Sequence, residues 1–198
     1  MAGNSGSEGR SGRRDSRRED LLLAAANLFA QKGYEATTIR EIAKAVDMLP
    51  GSIYYHYPSK EDVLIAVHEL GIENFLAAME KAVAGVKDPW ERLERAAVAH
   101  LVALTSGDAY AAVVDPYYSR ISPAVRAHLS AQRDAYERRF AELVEALELA
   151  PDVDRKLFRL HLLGALNWCS TWFKSGQKSA EEIARELIRL LRDGARPR

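Results

Sequence analysis

The spacing of apolar residues is helical along almost the whole chain, and the alternation typical of strands is nearly absent. The most informative stretch runs from residue 38 to residue 64 and contains two short helical patterns joined by a tight turn. One stripe of the first pattern is apolar and comprises Ile39, Ile42, Ala43 and Val46. The second pattern begins at Pro50, because proline suits a first helical position, where its missing N–H is not needed. This is the layout of a helix-turn-helix, whose second helix enters the major groove of DNA.

Capping residues predict where the other helices begin. Each predicted start combines a side-chain acceptor with an acidic residue or a proline close behind it, at Ser16, Thr38, Ser59, Asp88 and Ser122. Gly33 ends the first helix, and the helix after Ser59 extends to about residue 83 and connects two domains. Further helices are predicted over 109–118, 122–149, 152–174 and 179–192. The fold is therefore predicted to be all-α, with about nine helices.

The segment from Leu21 to Leu64 resembles the DNA-binding domain of the TetR family of bacterial transcriptional repressors. The matching residues are Thr38, Ile42, Ala43, Gly51, Tyr54, Tyr57 and Lys60. The turn departs from the family pattern: Asp47 replaces a glycine, which Asp tolerates, and Leu49 removes the usual hydroxyl cap, at a cost of about 1 kcal/mol. The resemblance implies that Thr38, Tyr55, His56 and Lys60 hold phosphates, and that Pro50, Gly51, Ser52 and Tyr54 lie nearest the bases.

The helix predicted over 152–174 is apolar on two sides, so both sides are expected to be buried. One side can face the domain's own core and the other a second copy of the chain, with Gly164 permitting close approach. This fits the four-helix interface, built from the last two helices, that the resemblance implies for a homodimer on a palindromic operator. The expected parts are a disordered basic tail (1–15), an N-terminal three-helix helix-turn-helix domain (16–62) and a C-terminal helical ligand-binding and dimerisation domain (63–198).

The same helix resembles a subgroup of the family that responds to acyl-coenzyme A (acyl-CoA) thioesters of fatty-acid, phenylacetate or steroid catabolism. The resembling residues include Asn167, Trp168 and Trp172, the run 181–183, and 133–136 upstream. The resemblance implies an apolar pocket with cations at its mouth for the coenzyme's phosphates. The candidate pocket residues are Tyr117, Tyr118, Phe158, His161, Asn167, Trp168 and Trp172, and the candidate phosphate-binding residues are Arg120, Arg126 and Lys174.

Each of these residues also has a plainer interpretation. Two tryptophans four residues apart suit core or interface packing, His161 suits a hydrogen-bonded core histidine, and the tyrosines suit plain core. Each of the three cations suits an ordinary surface charge. The arginine-rich tail is either an arm that follows DNA or a solvated extension.

Composition narrows the class of protein. The 198 residues carry a formal net charge of zero, so any attraction to DNA must be local. The single cysteine, Cys169, excludes an intramolecular disulfide and fits a reducing cytoplasm, where we expect the protein. The longest late uncharged stretch is shorter than the about 20 residues that span a bilayer, so no membrane contact is expected.

Signatures of catalysis are missing from the sequence. The five histidines are scattered without metal-ligand spacing, and there is no glycine-rich phosphate loop and no nucleophile elbow. We therefore expect no metal, no cofactor and no enzyme. The sequence predicts a ligand-responsive homodimeric repressor with an acyl-CoA effector. The alternative is a helical acyl-thioester-binding dimer that has lost specific DNA binding through its altered turn.

Overall fold

The computed structural model describes residues 8–114, 118, 120–174 and 176–195, with side chains described over residues 16–194 of these ranges. Within them the chain forms nine helices and no strand, which confirms the predicted fold class. The helices are α1 (Glu8–Lys32), α2 (Ile39–Ala45), α3 (Pro50–His56), α4 (Lys60–Val83), α5 (Pro89–Thr105), α6 (Ala111–Val114), α7 (Pro123–Glu145), α8 (Arg155–Trp172) and α9 (Ala180–Ala195).

The predicted caps are present as hydrogen bonds. The amide of Glu41 donates to Thr38 Oγ1 at 3.3 Å and the amide of Thr38 donates to Glu41 Oε2 at 2.8 Å, which closes a capping box at the start of α2. Side chains also cap α4, α5 and α7, at Ser59, Asp88 and Ser122. The start of α3 has no side-chain cap at residue 49 and depends on the proline at its first position.

Some predicted boundaries were wrong. The first helix begins at Glu8 rather than at Ser16, so residues 8–15 are helical and not a disordered tail. Arginine and glutamate are good helix formers, so the helix continues upstream of its packed segment in spite of two glycines. The helix predicted over 109–118 is reduced to the four residues of α6, and α7 ends at Glu145 rather than at Leu149.

Two buried clusters share α4. The N-terminal cluster joins the core of α1 to α3 to one end of α4 and to α7, through Val63, Leu64, Val67, Val125 and Leu129 among others. The C-terminal cluster joins the other end of α4 to α5, α7, α8 and α9, through Ile72, Phe75, Leu101, Phe140 and Leu162 among others. Along α4 the change from one cluster to the other therefore falls between Val67 and Ile72, and the first turns of α4 pack with the N-terminal helices.

Gly71 lies near the junction of the two clusters, where α6 crosses α4. A Cβ atom at this position would lie 2.5 Å from Val114 Cγ2 and 3.1 Å from the backbone oxygen of Tyr110. Only glycine lets the two helices approach this closely without a shift of the backbone.

Candidate nucleic-acid interface and effector cavity

One face of α3 projects from the helix-turn-helix into solvent. Its exposed residues are Gly51, Ser52, Tyr54, Tyr55 and His56. Tyr55 is 81% exposed and Tyr54 is 51% exposed, whereas Ile53 and Tyr57 are buried and anchor the helix. Arg18 Nε donates to the hydroxyl of Tyr57 at 2.9 Å, which ties α1 to the end of α3. The result is a strip of small and aromatic side chains on a rigid base.

The start of α2 lies beside this strip. Thr38 is exposed, but its hydroxyl already bonds to Glu41 in the capping box. Hydrogen bonds from Lys32 and Thr38 lower the pKa of Glu41 to about 2. Two exposed cations on α2, Arg40 and Lys44, lie one helical turn apart and were not identified from the sequence.

The ammonium group of Lys60, predicted to contact phosphate, is bonded within the protein. Its Nζ donates to the backbone oxygens of Tyr34 at 2.8 Å, Glu35 at 3.3 Å and Thr37 at 2.9 Å. It also lies 4.2 Å from the centroid of the Tyr34 ring, and burial lowers the pKa of Lys60. An ammonium group has three donors, and all three are used here. In this arrangement Lys60 ties the loop after α1 to the start of α4, and its predicted phosphate contact stays a prediction.

The outer face of α8 is apolar and exposed. Trp168 is 67% exposed, Trp172 49% and Leu157 63%, and Gly164 lies exposed between them. Trp168 therefore lines no enclosed pocket within the protomer. His161 lies on the same exposed face and is not a core histidine. A run of large apolar side chains on one helix face is typical of an interaction surface.

A cavity of about 50 Å³ lies between α4, α5, α7 and α8. Its wall is mainly aromatic and aliphatic, with a few polar groups, and includes Phe75, His100, Leu104, Arg133, Tyr136, Glu137, Leu163 and Asn167. Asn167 is the one member of the predicted pocket set that lies on this wall, among the described residues.

A buried polar chain crosses the wall of this cavity. His100 Nδ1 lies 2.8 Å from the hydroxyl of Tyr136, and His100 Nε2 lies 2.9 Å from Asn167 Oδ1. Burial lowers the pKa of His100 to about 4, so the ring is neutral at pH 7. Because Asn167 Oδ1 can only accept, Nε2–H donates to it and Nδ1 accepts from the Tyr136 hydroxyl. Sequence reasoning missed the roles of His100 and Tyr136, since these contacts join distant segments.

The other predicted pocket and phosphate residues are dispersed. Tyr118 is buried near the junction of the two clusters, where its hydroxyl donates to the Val113 oxygen at 2.7 Å and its own backbone oxygen accepts from Arg126 at 3.0 Å. Phe158 packs against Trp90 in the core, with ring centroids 6.1 Å apart. Neither Tyr118 nor Phe158 lines the cavity.

The remaining candidates lie on the surface or outside the described residues. Arg120 is exposed, and Lys174 borders an open groove between α8 and α9 together with Trp172. None of the three predicted phosphate-binding cations lines the cavity. Tyr117 lies outside the described residues.

Direct contacts join α4 to α7 on both sides of the domain junction. Glu61 accepts hydrogen bonds from the amide of Ser122 at 2.6 Å and from its hydroxyl at 3.0 Å. About two helical turns further along α4, His68 Nδ1 lies 2.5 Å from Gln132 Oε1. These contacts couple the two helices, so a tilt of α4 is expected to displace α7, and a displacement of α7 is expected to tilt α4.

The described residues contain no group of three or more His, Cys, Asp or Glu that is arranged to hold a metal ion. None of the helices described above is both long enough and apolar enough to cross a membrane.

A helix-turn-helix with an exposed second helix, joined by one long helix to an all-α domain with an internal cavity, defines a class of DNA-binding regulators. Comparison with known proteins gives the family. The family model for bacterial regulatory proteins of the tetR family matches residues 21–67, and the model for the tetracyclin repressor-like C-terminal domain matches residues 86–195. The chain belongs to the TetR family; it is a ligand-responsive transcriptional regulator of the repressor type and not an enzyme.

Individual relatives agree with this assignment over nearly the full length. The transcriptional repressor KstR2 of Mycolicibacterium smegmatis is 27% identical over 186 residues, covering 90% of each chain. The crystal structure of PfmR from Thermus thermophilus is 31% identical with a TM-score of 0.73, covering 88% of this chain and 94% of that one. AibR, solved in complex with isovaleryl coenzyme A and operator DNA, is 26% identical with a TM-score of 0.77, covering 88% and 97%.

Proposed function

We propose that the protein is a homodimeric repressor that binds a palindromic operator through α3 and is released by an acyl-CoA thioester. The observation that carries the DNA-binding part is the exposed face of α3, held by buried Ile53 and Tyr57. Tyrosine has an apolar ring and a polar hydroxyl, and a major groove offers both apolar and phosphate contacts to such a side chain. A regulator of chromosomal DNA belongs in the cytoplasm.

The face divides into two kinds of contact. Pro50, Gly51, Ser52 and Tyr54 lie at the start of α3 and are proposed to meet base edges, which discriminate between sequences. Tyr55 and His56 near its end, with Thr38 at the start of α2, are proposed to meet phosphates, which position the helix on any sequence. The exposed cations Arg40 and Lys44 are further candidates for phosphate contacts, beside Lys60, whose donors are bonded within the protein.

The exposed apolar face of α8 supports the dimer. Trp168, Trp172 and Leu157 on α8, and Leu190 on α9, are each at least 49% exposed in the protomer. A second copy related by a two-fold axis would cover this face and place the two α3 helices about 34–36 Å apart, one turn of DNA. Lys174 and Arg120 remain proposed contacts for the coenzyme's phosphates, at the surface and away from the cavity.

The relatives and the cavity together support the effector class. AibR binds isovaleryl coenzyme A, and this chain has a mainly apolar cavity between α4 and α8. An effector releases DNA only if it binds the DNA-incompetent arrangement more tightly. The link from Glu61 to Ser122 provides a route, since a shift of α7 around a filled cavity would tilt α4 and the helix-turn-helix.

The test of DNA binding is fluorescence anisotropy with fragments from upstream of the protein's own gene and of neighbouring genes. We expect one fragment to bind at least about a thousandfold more tightly than random DNA of equal length. Binding of acyl-CoA with no preference for any fragment would support the alternative, an acyl-thioester-binding dimer without specific DNA binding. Sedimentation of the same sample measures the dimer directly.

A further inference from the structure

We infer that the effector is a short-chain acyl thioester whose carbonyl oxygen accepts a hydrogen bond from the side-chain amide of Asn167. This inference rests on the proposed acyl-CoA effector and narrows it in two ways, by the size of the acyl group and by the group that recognises it.

The size follows from the cavity. About 10–15 Å³ of free space is needed for one water-sized group, and the cavity has about 50 Å³. It therefore holds on the order of four such groups, the size of a branched or straight chain of a few carbons. Phe75 and Tyr136 belong to this wall, and each of Phe75 and Phe140 packs edge to face with Tyr136 at a centroid distance of 5.7 Å. A long chain or a fused ring system would have to break this cluster.

The recognition group follows from the polar chain. His100 occupies the oxygen of the Asn167 side chain, and Tyr136 occupies the other ring nitrogen of His100. The Asn167 amide nitrogen has two hydrogens, and no described residue accepts either of them, although the side chain lines the cavity. The chain from Tyr136 through His100 holds Oδ1 of Asn167, so the NH2 group is the remaining polar group of this side chain, on a residue that lines the cavity. A donor held in this way at a cavity wall favours a ligand with an acceptor.

The cavity wall also carries charged groups. Arg133 and Glu137 both line the cavity, and the Glu137 carboxylate lies 3.4 Å from the Arg159 guanidinium. His100 adds no charge at pH 7, because burial lowers its pKa to about 4. Arg133 is therefore the group that a free carboxylate would approach, whereas a thioester carbonyl needs only a donor, so the experiment compares the thioester with the free acid.

The experiment measures ligand affinity by calorimetry and operator release by anisotropy on the full-length protein. The ligands are butyryl-CoA, isovaleryl-CoA, palmitoyl-CoA, a four-ring steroid acyl-CoA, free isovalerate, and S-isopentyl-CoA, a thioether of the same shape without the carbonyl. The variant Asn167→Asp keeps an oxygen for His100 and replaces the donor by an acceptor. Asn74→Asp makes the same change at an exposed position of α4 outside the cavity and is the control.

We expect isovaleryl-CoA or butyryl-CoA to bind wild type and Asn74→Asp about tenfold more tightly than the thioether, and N167D to lose this preference. Release by palmitoyl-CoA or the steroid thioester alone would overturn the short-chain assignment and leave the proposed function intact. Equal affinity of thioester and thioether for wild type would overturn the role of Asn167, with no dependence on how well the variant folds. If free isovalerate released the operator as well as isovaleryl-CoA does, the recognising group would be Arg133 and not Asn167. If no thioester had any effect, the proposed acyl-CoA effector itself would be wrong.

Discussion

Replacing Lys60 by methionine separates a structural lysine from a DNA-contacting one. Methionine keeps most of the length of the stem and removes the ammonium that bonds to the oxygens of Tyr34, Glu35 and Thr37. A charged hydrogen bond contributes roughly 1.5–3 kcal/mol when shielded from water, and a partly exposed cation over an aromatic ring about 0.5–1 kcal/mol. Because Lys60 is only partly buried, water competes for these groups. We expect a total loss of about 2–3 kcal/mol in the free energy of unfolding.

Urea denaturation of wild type, Lys60→Met and Lys81→Met at one protein concentration measures this loss. Lys81 is the matched control, since it is an exposed lysine on the same helix, 21 residues or about 31 Å further along. Operator affinity is then measured against salt concentration well below the unfolding temperature. A lysine on a phosphate contributes about 0.9 to the slope of log affinity against log salt, and we expect the K60M slope to equal that of wild type. A slope reduced by about one with unchanged stability would refute the structural role.

Three further predictions concern the interface, the dimer and pH. Tyr55→Ala should weaken operator binding in anisotropy yet change unfolding by less than about 0.5 kcal/mol; unchanged affinity would remove Tyr55 from the interface. A Cβ atom at Gly164 would meet nothing within 4 Å in the protomer, so Gly164→Leu should sediment as a folded monomer, and a dimer would place Gly164 outside the interface. Burial holds the pKa of His100 at about 4, below its ordinary 6.5, so the folded state binds fewer protons than the unfolded state between these values. This difference adds on the order of 3 kcal/mol to the free energy of unfolding; the full amount is present above pH 6.5 and is lost as pH falls towards 4. If urea denaturation showed that wild type loses no more free energy of unfolding than His100→Asn between these pH values, the prediction would be wrong.

Features set by neighbouring residues were predictable from the sequence. The caps at Thr38, Ser59 and Asp88 require only a side chain and an amide two or three positions away, so their pattern is visible in the chain. Gly33 and Asp47 adopt positive φ of 83° and 52° for the same reason, because a short turn leaves few alternatives.

Features set by tertiary contact were not predictable. The oxygens that accept from Lys60 lie 23–26 residues upstream, so no local pattern indicated these bonds, and the family resemblance assigned Lys60 to phosphate. The spacing of Trp168 and Trp172 suits a core, a pocket and an interface equally well, and only the packing shows them outside. His100 forms its bonds across 36 and 67 residues, a distance at which local pattern carries no information.

The packing of the first turns of α4 against the N-terminal helices determines where this regulator can be divided to build a chimera. Val63, Leu64 and Val67 are fully buried in the cluster that supports the DNA-reading half. Burying a side chain of this size contributes about 1.5–3 kcal/mol, so together they contribute roughly 6 kcal/mol, as much as the entire stability of many small domains. A fragment that stopped at residue 62 would lose them along with Val125 and Leu129. A chimera that grafts this DNA specificity onto another sensor must therefore keep the first two turns of α4 and the facing side of α7.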